Sequence, residues 1–203
     1  MSDEAECKLL DIPDSYKIDY APTQVNEMGE VIKASITVAV DLTNIMRVSE
    51  NMDIFEAKLI LHLSWFDNRL QFNNLKLGKK NMLAREGQSK IWSPPAFFEN
   101  TKDSERIVND DRSSAYVTRN GSFKLVGYHI LYNTQVFLGE QNYITLSRIY
   151  RHEFICIYQM AWYPFDSQRC QIVLSLVGDA NEIIYLFPGK LKYLGPKINP
   201  IFC

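Results

Sequence analysis

The stretch Cys156–Cys170, with the sequence CIYQMAWYPFDSQRC, decides how this 203-residue chain is interpreted. Its two cysteines enclose thirteen residues that are mostly apolar or aromatic up to the Pro-Phe-Asp tripeptide at 164–166. The pair has two interpretations at this point: a disulfide that closes a short loop, or two free thiols of an intracellular protein. A metal site would need a closer cysteine pair with histidine neighbours, and His152 alone does not supply them.

The segment between the cysteines is unusually apolar for a loop. Loops that run over a protein surface normally carry polar side chains, because they have little to pack against. The apolar and aromatic side chains here are Ile157, Tyr158, Met160, Trp162, Tyr163 and Phe165. We expect the loop either to pack beneath its own domain or to contact a partner, since exposed apolar patches mark contact surfaces.

Composition and charge exclude several classes of partner. Hydrophobic residues make up 46% of the chain, enough for one sizeable core, and β-sandwiches of this size are commonly one domain. The net charge of -2 gives no indication of nucleic-acid binding or of an anionic membrane surface. No apolar run is long enough to span a bilayer, and the N-terminus lacks a signal region. The loop cysteines favour an extracellular compartment, and Cys7 and Cys203 would allow a second disulfide.

Short strands with turn residues between them predict an all-β, immunoglobulin-like β-sandwich. Apolar and polar residues alternate over 31–42 and again over 54–64, which predicts two antiparallel, half-buried strands. Further inner strands are predicted within 123–138, 143–160, 171–178 and 182–187. We expect a short N-terminal helix near residues 4 to 10, a long polar loop over 99–122 and a turn-rich segment over 187–203.

No pattern in the sequence predicts catalysis or a bound cofactor. The histidines His62, His129 and His152 lack metal-motif spacing, and a lone histidine in a strand is more often structural than a ligand. A glycine-rich phosphate loop, a GxSxG motif and a carboxylate pair in a cleft are all absent. We therefore expect a binding protein with no metal site and no cofactor, rather than an enzyme.

The cysteine-bounded stretch resembles the signature loop of the Cys-loop receptors, the pentameric ligand-gated ion channels. The matching positions are Cys156, Trp162, Pro164, Phe165, Asp166, Gln168 and Cys170. Residues 65–70 resemble the family's WxDxRL run, which alone would equally fit a strand end with an aromatic anchor and an Asp–Arg turn pair. Residues 91–100 resemble its Trp-x-Pro-Asp-x-Phe-Phe-x-Asn segment, although Pro95 stands where the family usually has Asp.

The resemblance implies the extracellular ligand-binding domain of a channel subunit, in a pentamer of identical or related subunits at the cell membrane. It implies a Cys156–Cys170 disulfide that closes a gating loop against a membrane domain. The tip of that loop would be Tyr163, Pro164, Phe165 and Asp166. Residues 1–203 would then form one domain that stops near the start of its ninth strand, without the last strands and the transmembrane helices.

Two rival interpretations remain beside the channel subunit. The first is a soluble, secreted pentameric ligand-binding protein without a channel, and the apolar loop favours the receptor over it. The second is an unrelated cell-adhesion sandwich, which would make the ordered motif matches a coincidence. Free thiols at Cys156 and Cys170 would remove the Cys-loop assignment.

The resemblance also predicts a ligand site between neighbouring subunits. One subunit would contribute Phe97, Phe98 and Val177, and its neighbour would contribute Ile60, His62 and Arg148. A site for an amine cation is typically an aromatic cage, to which Ile60 and Val177 cannot contribute, so the small-molecule ligand stays unidentified. Asn120 begins an Asn-Gly-Ser glycosylation sequon, and Asn-Gly is equally typical of a hairpin turn.

Overall fold

Strands account for nearly all of the regular structure. The computed structural model describes residues 9–25, 28–49, 53–102, 113–126, 134–159, 161, 165, 167–177 and 184–195. The strands are β1 (Leu10–Asp11), β2 (Gln24–Val25), β3 (Val31–Ile32), β4 (Ala34–Ser49), β5 (Ile54–Trp65), β6 (Gln71–Asn73), β7 (Lys80–Met82), β8 (Ala96–Phe98), β9 (Ser114–Thr118), β10 (Phe123–Val126), β11 (Thr134–Leu138), β12 (Ile144–Ile155), β13 (Leu174–Leu176) and β14 (Ile184–Tyr193). The described residues include one short helix, α1 (Arg85–Gln88), between β7 and β8. The predicted all-β fold class is confirmed.

The strands form one large mixed sheet and three smaller antiparallel sheets. The large sheet has the order β14-β4-β5-β12-β9-β7, in which only β14 and β4 are parallel. A four-stranded sheet has the order β1-β6-β11-β10, and β13 with β8 and β2 with β3 form two pairs. One hydrophobic core draws residues from the large sheet, the four-stranded sheet and the β13–β8 pair, as in a β-sandwich.

The central strands follow the predicted alternation. β5 buries Phe55, Ala57, Leu59, Leu61 and Leu63 on one face, as expected from the sequence. The predicted antiparallel pairing of this strand with β4 is also confirmed. The sheet therefore has one face in the core and a second face that is free to carry polar groups.

The predicted long loop over 99–122 is wrong in its second half. Ser114–Thr118 forms β9, which pairs with both β12 and β7. Ala115 and Val117 are buried in the core, and Ser114, Tyr116 and Thr118 alternate with them on the other face. The alternation within this short strand is hard to recognise in the sequence because charged and polar residues flank it on both sides.

Two further predictions of local structure, one about β14 and one about β10, are wrong. β14 continues through Pro188 and Gly189, where a turn was predicted, and a register shift between Pro188 and Leu191 accommodates the missing N–H of proline. β10 was predicted as an inner strand, but its four residues are all exposed.

The predicted N-terminal helix falls mostly outside the described residues. Its last position, Leu10, lies in β1 opposite Phe72. Cys7 and Cys203 lie outside the described residues as well. Within the described parts of the chain, no helix combines the length and apolar character needed to cross a membrane.

Candidate functional site

A disulfide joins Cys156 to Cys170, with their Cα atoms 5.3 Å apart. The pairing implied by the resemblance is confirmed, and the free-thiol interpretation is excluded. The Cys156 N–H, directly after β12, donates to the Asp53 carbonyl at 2.8 Å. Inside the loop, the Gln159 N–H donates to Gln168 Oε1 at 3.0 Å, and Gln168 Nε2 donates back to the Gln159 carbonyl at 2.9 Å. The Gln168 side-chain amide thus holds the two ends of the loop together next to the disulfide.

The disulfide loop exposes apolar side chains. Phe165 is 93% exposed and Ile157 is 78% exposed. The other predicted gating residues, Tyr163, Pro164 and Asp166, lie outside the described residues. The Phe165 ring does not pack beneath its own domain, which leaves contact with a partner as the expected role of this position.

The pairing of β8 with β13 brings together two of the predicted ligand residues. Phe97 lies opposite Ser175, and the Val177 N–H donates to the Pro95 carbonyl at 2.8 Å. Because side chains alternate along a strand, Phe97, Ser175 and Val177 share one face of this pair. Phe97 is half-buried and Val177 is 52% exposed, so both are accessible on that face.

Phe98 belongs to the opposite face and to the core. It is 8% exposed, and its ring centroid lies 5.1 Å from Tyr150, 5.8 Å from His152 and 5.5 Å from Phe154. The structure therefore separates Phe98 from Phe97, although the two are neighbours in sequence. His152 takes part in the same ring cluster, which fits its predicted structural role.

Ile60 and His62 lie on the outward face of β5, opposite the core. His62 Nδ1 is 2.7 Å from Ser147 Oγ, and its Nε2 is 3.2 Å from Asp41 Oδ2. Because an ionised carboxylate only accepts hydrogen bonds, the contact with an ionised Asp41 is a hydrogen bond donated by His62 Nε2–H. The Ser64 and Thr145 hydroxyls hydrogen-bond at 2.8 Å beside them.

These polar partners of His62 were not identified from the sequence. Alternation places Asp41, Ser64, Thr145 and Ser147 each on the outward side of its own strand. Only the register, with Ser147 opposite His62 and Asp41 opposite Ile60, puts them next to each other. We define Asp41, Ile60, His62, Ser64, Thr145 and Ser147 as the outward polar face.

Arg148 does not share this face with Ile60 and His62. It lies opposite Leu61 in the pairing of β12 with β5, and Leu61 points into the core. The Arg148 Nε atom is buried and has no hydrogen-bond partner among the described residues. Arg148 lines a cavity whose walls include none of the other predicted ligand residues.

The WxDxRL run forms a buried ion pair. Asp67 is fully buried, and its carboxylate accepts from Arg69 Nε at 2.8 Å, from Arg69 Nη2 at 2.7 Å and from the Tyr16 hydroxyl at 2.9 Å. The Tyr16 oxygen accepts in turn from the Trp92 N–H at 2.8 Å. The run is thus an Asp–Arg turn pair that fixes the N-terminal segment to the sandwich.

The environment of this ion pair shifts two pKa values. Burial raises the pKa of the Tyr16 hydroxyl far above its usual value, and the Asp67 charge adds to the effect. Burial alone would lower the pKa of Arg69, but the hydrogen bonds and the charge of Asp67 outweigh it and raise that pKa. Tyr16 is therefore neutral and Arg69 charged at physiological pH.

Asn120 lies in an exposed connection between two sheets. β9 belongs to the large sheet and β10 to the four-stranded sheet, so Asn120 and Gly121 do not form a hairpin turn between paired strands. The backbone N–H groups of Asn120 and Gly121 donate to Oδ1 of the buried Asn142 at 2.9 and 3.2 Å. The exposed Asn120 side chain makes the sequon sterically accessible.

Comparison with known proteins gives one family match across most of the chain. Residues 7–193 match the model of the neurotransmitter-gated ion-channel ligand binding domain. The matched residues contain the disulfide loop, the outward polar face and the β8–β13 pair. The match therefore includes every site described above.

Individual relatives are distant but cover nearly the whole chain. The acetylcholine receptor subunit beta of Xenopus laevis is 23% identical over 187 residues, which cover 91% of this chain and 33% of the relative. The glutamate-gated chloride channel of Drosophila melanogaster is 24% identical over 190 residues, covering 91% of this chain and 36% of the relative. The acetylcholine receptor subunit epsilon of Bos taurus is 23% identical over 177 residues, which cover 86% of this chain and 30% of the relative. The chain thus spans about a third of the length of these relatives.

Proposed function

This chain belongs to the family of neurotransmitter-gated ion-channel ligand-binding domains, and from that premise we propose that it is the extracellular ligand-binding domain of a pentameric channel subunit. A small molecule would bind between neighbouring subunits. Its binding would shift a closed-to-open equilibrium through the disulfide loop. The relatives are receptor subunits and an ion channel, and the chain is not an enzyme. The Asp41–His62–Ser147 hydrogen-bond chain is accordingly part of a binding surface rather than a hydrolytic triad.

The observation that carries this proposal is the exposed tip of the disulfide loop. Phe165 is 93% exposed on a loop closed by both a disulfide and the Gln159–Gln168 hydrogen bonds. An apolar ring held out on a closed loop supports contact with a second apolar surface, which a membrane domain would supply. A soluble secreted binding protein has no such surface to cover the ring, so Phe165 favours the channel subunit.

The proposed ligand site combines two surfaces that lie on different sheets of one chain. Phe97 and Val177 form the surface on the β8–β13 pair, and Ile60 and His62 form the other on β5 of the large sheet. A head-to-tail contact between neighbouring copies would bring the first surface of one copy to the second surface of the next. A heterologous contact forms a ring when its rotation closes, and a pentamer is one such ring.

The side chains at this proposed site favour a ligand other than a quaternary amine. Cation–π binding of such an ion is worth up to about 2 kcal/mol for each desolvated aromatic contact. Ile60 and Val177 supply none, and Phe97 is the only phenylalanine, tyrosine or tryptophan among the four positions. The hydrogen-bonding groups beside Ile60 are Asp41, His62 and Ser147, so we propose a ligand that is held by hydrogen bonds.

The proposal places the domain on the extracellular side of the cell membrane. An oxidising compartment is where a disulfide such as Cys156–Cys170 persists. Glycosylation of the exposed Asn120 fits the same compartment and stays a prediction.

Replacing Phe165 with serine tests the role of the loop tip. We expect the opening equilibrium at saturating agonist to fall by roughly 5- to 150-fold, the usual range of coupling between two sites, while agonist binding is retained. The measurement is the current response of a channel that joins this chain to the remaining residues of a relative, such as the glutamate-gated chloride channel. Acetylcholine, glutamate and related transmitters would be screened first as agonists.

The matched control is Leu125→Ser, which removes an apolar side chain that is 61% exposed on β10, outside the loop. This variant should open as the unmodified channel does. Equal currents from Phe165→Ser and Leu125→Ser would contradict a gating role for the loop tip.

A further inference from the structure

A cavity of about 410 Å³ lies inside a single chain, between the end of β5, α1 and β12. Its walls include Trp65, Arg85, Trp92, Ala115, Leu146 and Arg148. The volume is in the range of small-molecule sites. The cavity is separate from the proposed interface site, because neither Phe97, Val177, Ile60 nor His62 lines it.

Two buried hydrogen-bond donors at this cavity lack acceptors. Trp65 is 2% exposed, and neither its Nε1 nor the Arg148 Nε has a hydrogen-bond partner in the described part of the chain. Buried N–H groups are paired in the great majority of cases, and each unpaired group has a cost in stability. Two such donors in the wall of one cavity indicate a place for an acceptor from outside the chain.

The positively charged side chains at the cavity favour a negatively charged hydrogen-bond acceptor. Arg85 and Arg148 both line it, and no aspartate or glutamate is found among its described lining residues. A guanidinium group presents its N–H donors in a planar fork that matches a carboxylate with two parallel hydrogen bonds. An anion with a planar pair of oxygens therefore complements these groups better than a neutral molecule does.

The remaining walls combine an apolar part with four uncharged polar residues, Gln88, Ser89, Ser93 and Ser113. The Trp65 and Trp92 rings meet edge to face with centroids 5.8 Å apart, and Ala115 and Leu146 add aliphatic surface. We propose that this cavity binds a small organic carboxylate. Its carboxylate would lie at Arg148 and the Trp65 N–H, and its hydrocarbon part would lie against Trp92 and Leu146.

Calorimetric titration with benzoate, in a buffer free of carboxylates, tests this proposal on the whole chain. We expect one benzoate bound per chain. Benzamide has the same ring without the charge and should bind at least tenfold more weakly, since a charge-assisted hydrogen bond is about twice as strong as a neutral one. Arg148→Gln should weaken benzoate binding at least tenfold by removing the guanidinium.

Arg151→Gln provides the matched control. Arg151 lies on the same strand, but its side chain is 62% exposed and pairs with Glu56 on the outside of the sheet. Benzoate should bind this variant as it binds the unmodified chain. Equal weakening by Arg151→Gln and Arg148→Gln would mean that benzoate binds through net charge alone, and the proposal would fail.

A second variant keeps the test decisive if Arg148→Gln does not fold, as circular dichroism would reveal. Trp65→Phe retains an aromatic ring in the core and removes the N–H donor together with part of the indole ring. We expect a loss in benzoate affinity of at least threefold in the folded Trp65→Phe protein. Absence of benzoate binding to the unmodified chain, or an unchanged affinity in Trp65→Phe, would overturn the assignment.

Discussion

Replacing Asp67 with alanine is expected to lower the free energy of unfolding by about 3 to 5 kcal/mol, the usual cost of removing one partner of a buried ion pair. The Asp67 carboxylate is fully buried and accepts hydrogen bonds from Arg69 and from the Tyr16 hydroxyl. Without it, the Tyr16 hydroxyl loses its acceptor, and the Arg69 guanidinium, which is 24% exposed, loses its only anionic partner among the described residues and keeps the Lys17 and Tyr20 carbonyls. Urea denaturation followed by tryptophan fluorescence measures the change.

The control for this prediction is an ion pair of the same type at the surface. Arg47 pairs with Glu153 at 2.6 Å, but its side chain is 53% exposed. Arg47→Ala should therefore cost less than about 1 kcal/mol. If Asp67→Ala were no more destabilising than Arg47→Ala, the WxDxRL run would not have the structural role assigned to it.

Replacing Cys156 and Cys170 together with alanine is expected to lower the free energy of unfolding by roughly 3 kcal/mol. The disulfide closes a loop of about fifteen residues, and its removal increases the conformational entropy of the unfolded chain. Alanine is preferred to serine because Cys156 is 5% exposed, and a serine there would bury a hydroxyl. Thermal unfolding under oxidising conditions measures the loss.

Chemical reduction supplies an independent check of the disulfide prediction. The unmodified chain under reducing conditions should approach the stability of the double variant, and reduction should leave the double variant unchanged. A double variant as stable as the oxidised chain would show that the loop is held by other contacts, such as the Gln159–Gln168 hydrogen bonds.

Sequence patterns correctly predicted the structural features that depend on residues close together in the sequence. The buried face of β5 followed from alternation, and the disulfide followed from resemblance to a signature loop. The same alternation rule could have separated Phe97 from Phe98, because adjacent residues in a strand point to opposite faces. Phe97 and Phe98 were predicted to share one site because both belong to the segment at 91–100 that resembles the family.

Features that depend on strand pairing could not be predicted in this way. The His62 contacts with Asp41 and Ser147 join residues 21 and 85 positions apart in sequence, and the register that aligns them is a property of the whole sheet. Arg148 was assigned to the ligand site, and its core-facing position became clear only from its pairing with Leu61. Strand β9 was missed because its partners β12 and β7, rather than its own composition, stabilise it.

Disulfide cross-linking between neighbouring copies is the most direct test of a ring of subunits with its ligand site between them. Ile60→Cys and Val177→Cys would be introduced together, with Cys7 and Cys203 replaced by serine. Under mild oxidation, we expect a ladder of cross-linked species that ends at five copies of the 23.5 kDa chain. Each single variant should give no ladder, and neither should Ile60→Cys combined with Leu125→Cys, whose second site lies on the exposed β10. A double variant that stays monomeric, or that stops at two copies, would contradict a ring with its ligand site between subunits.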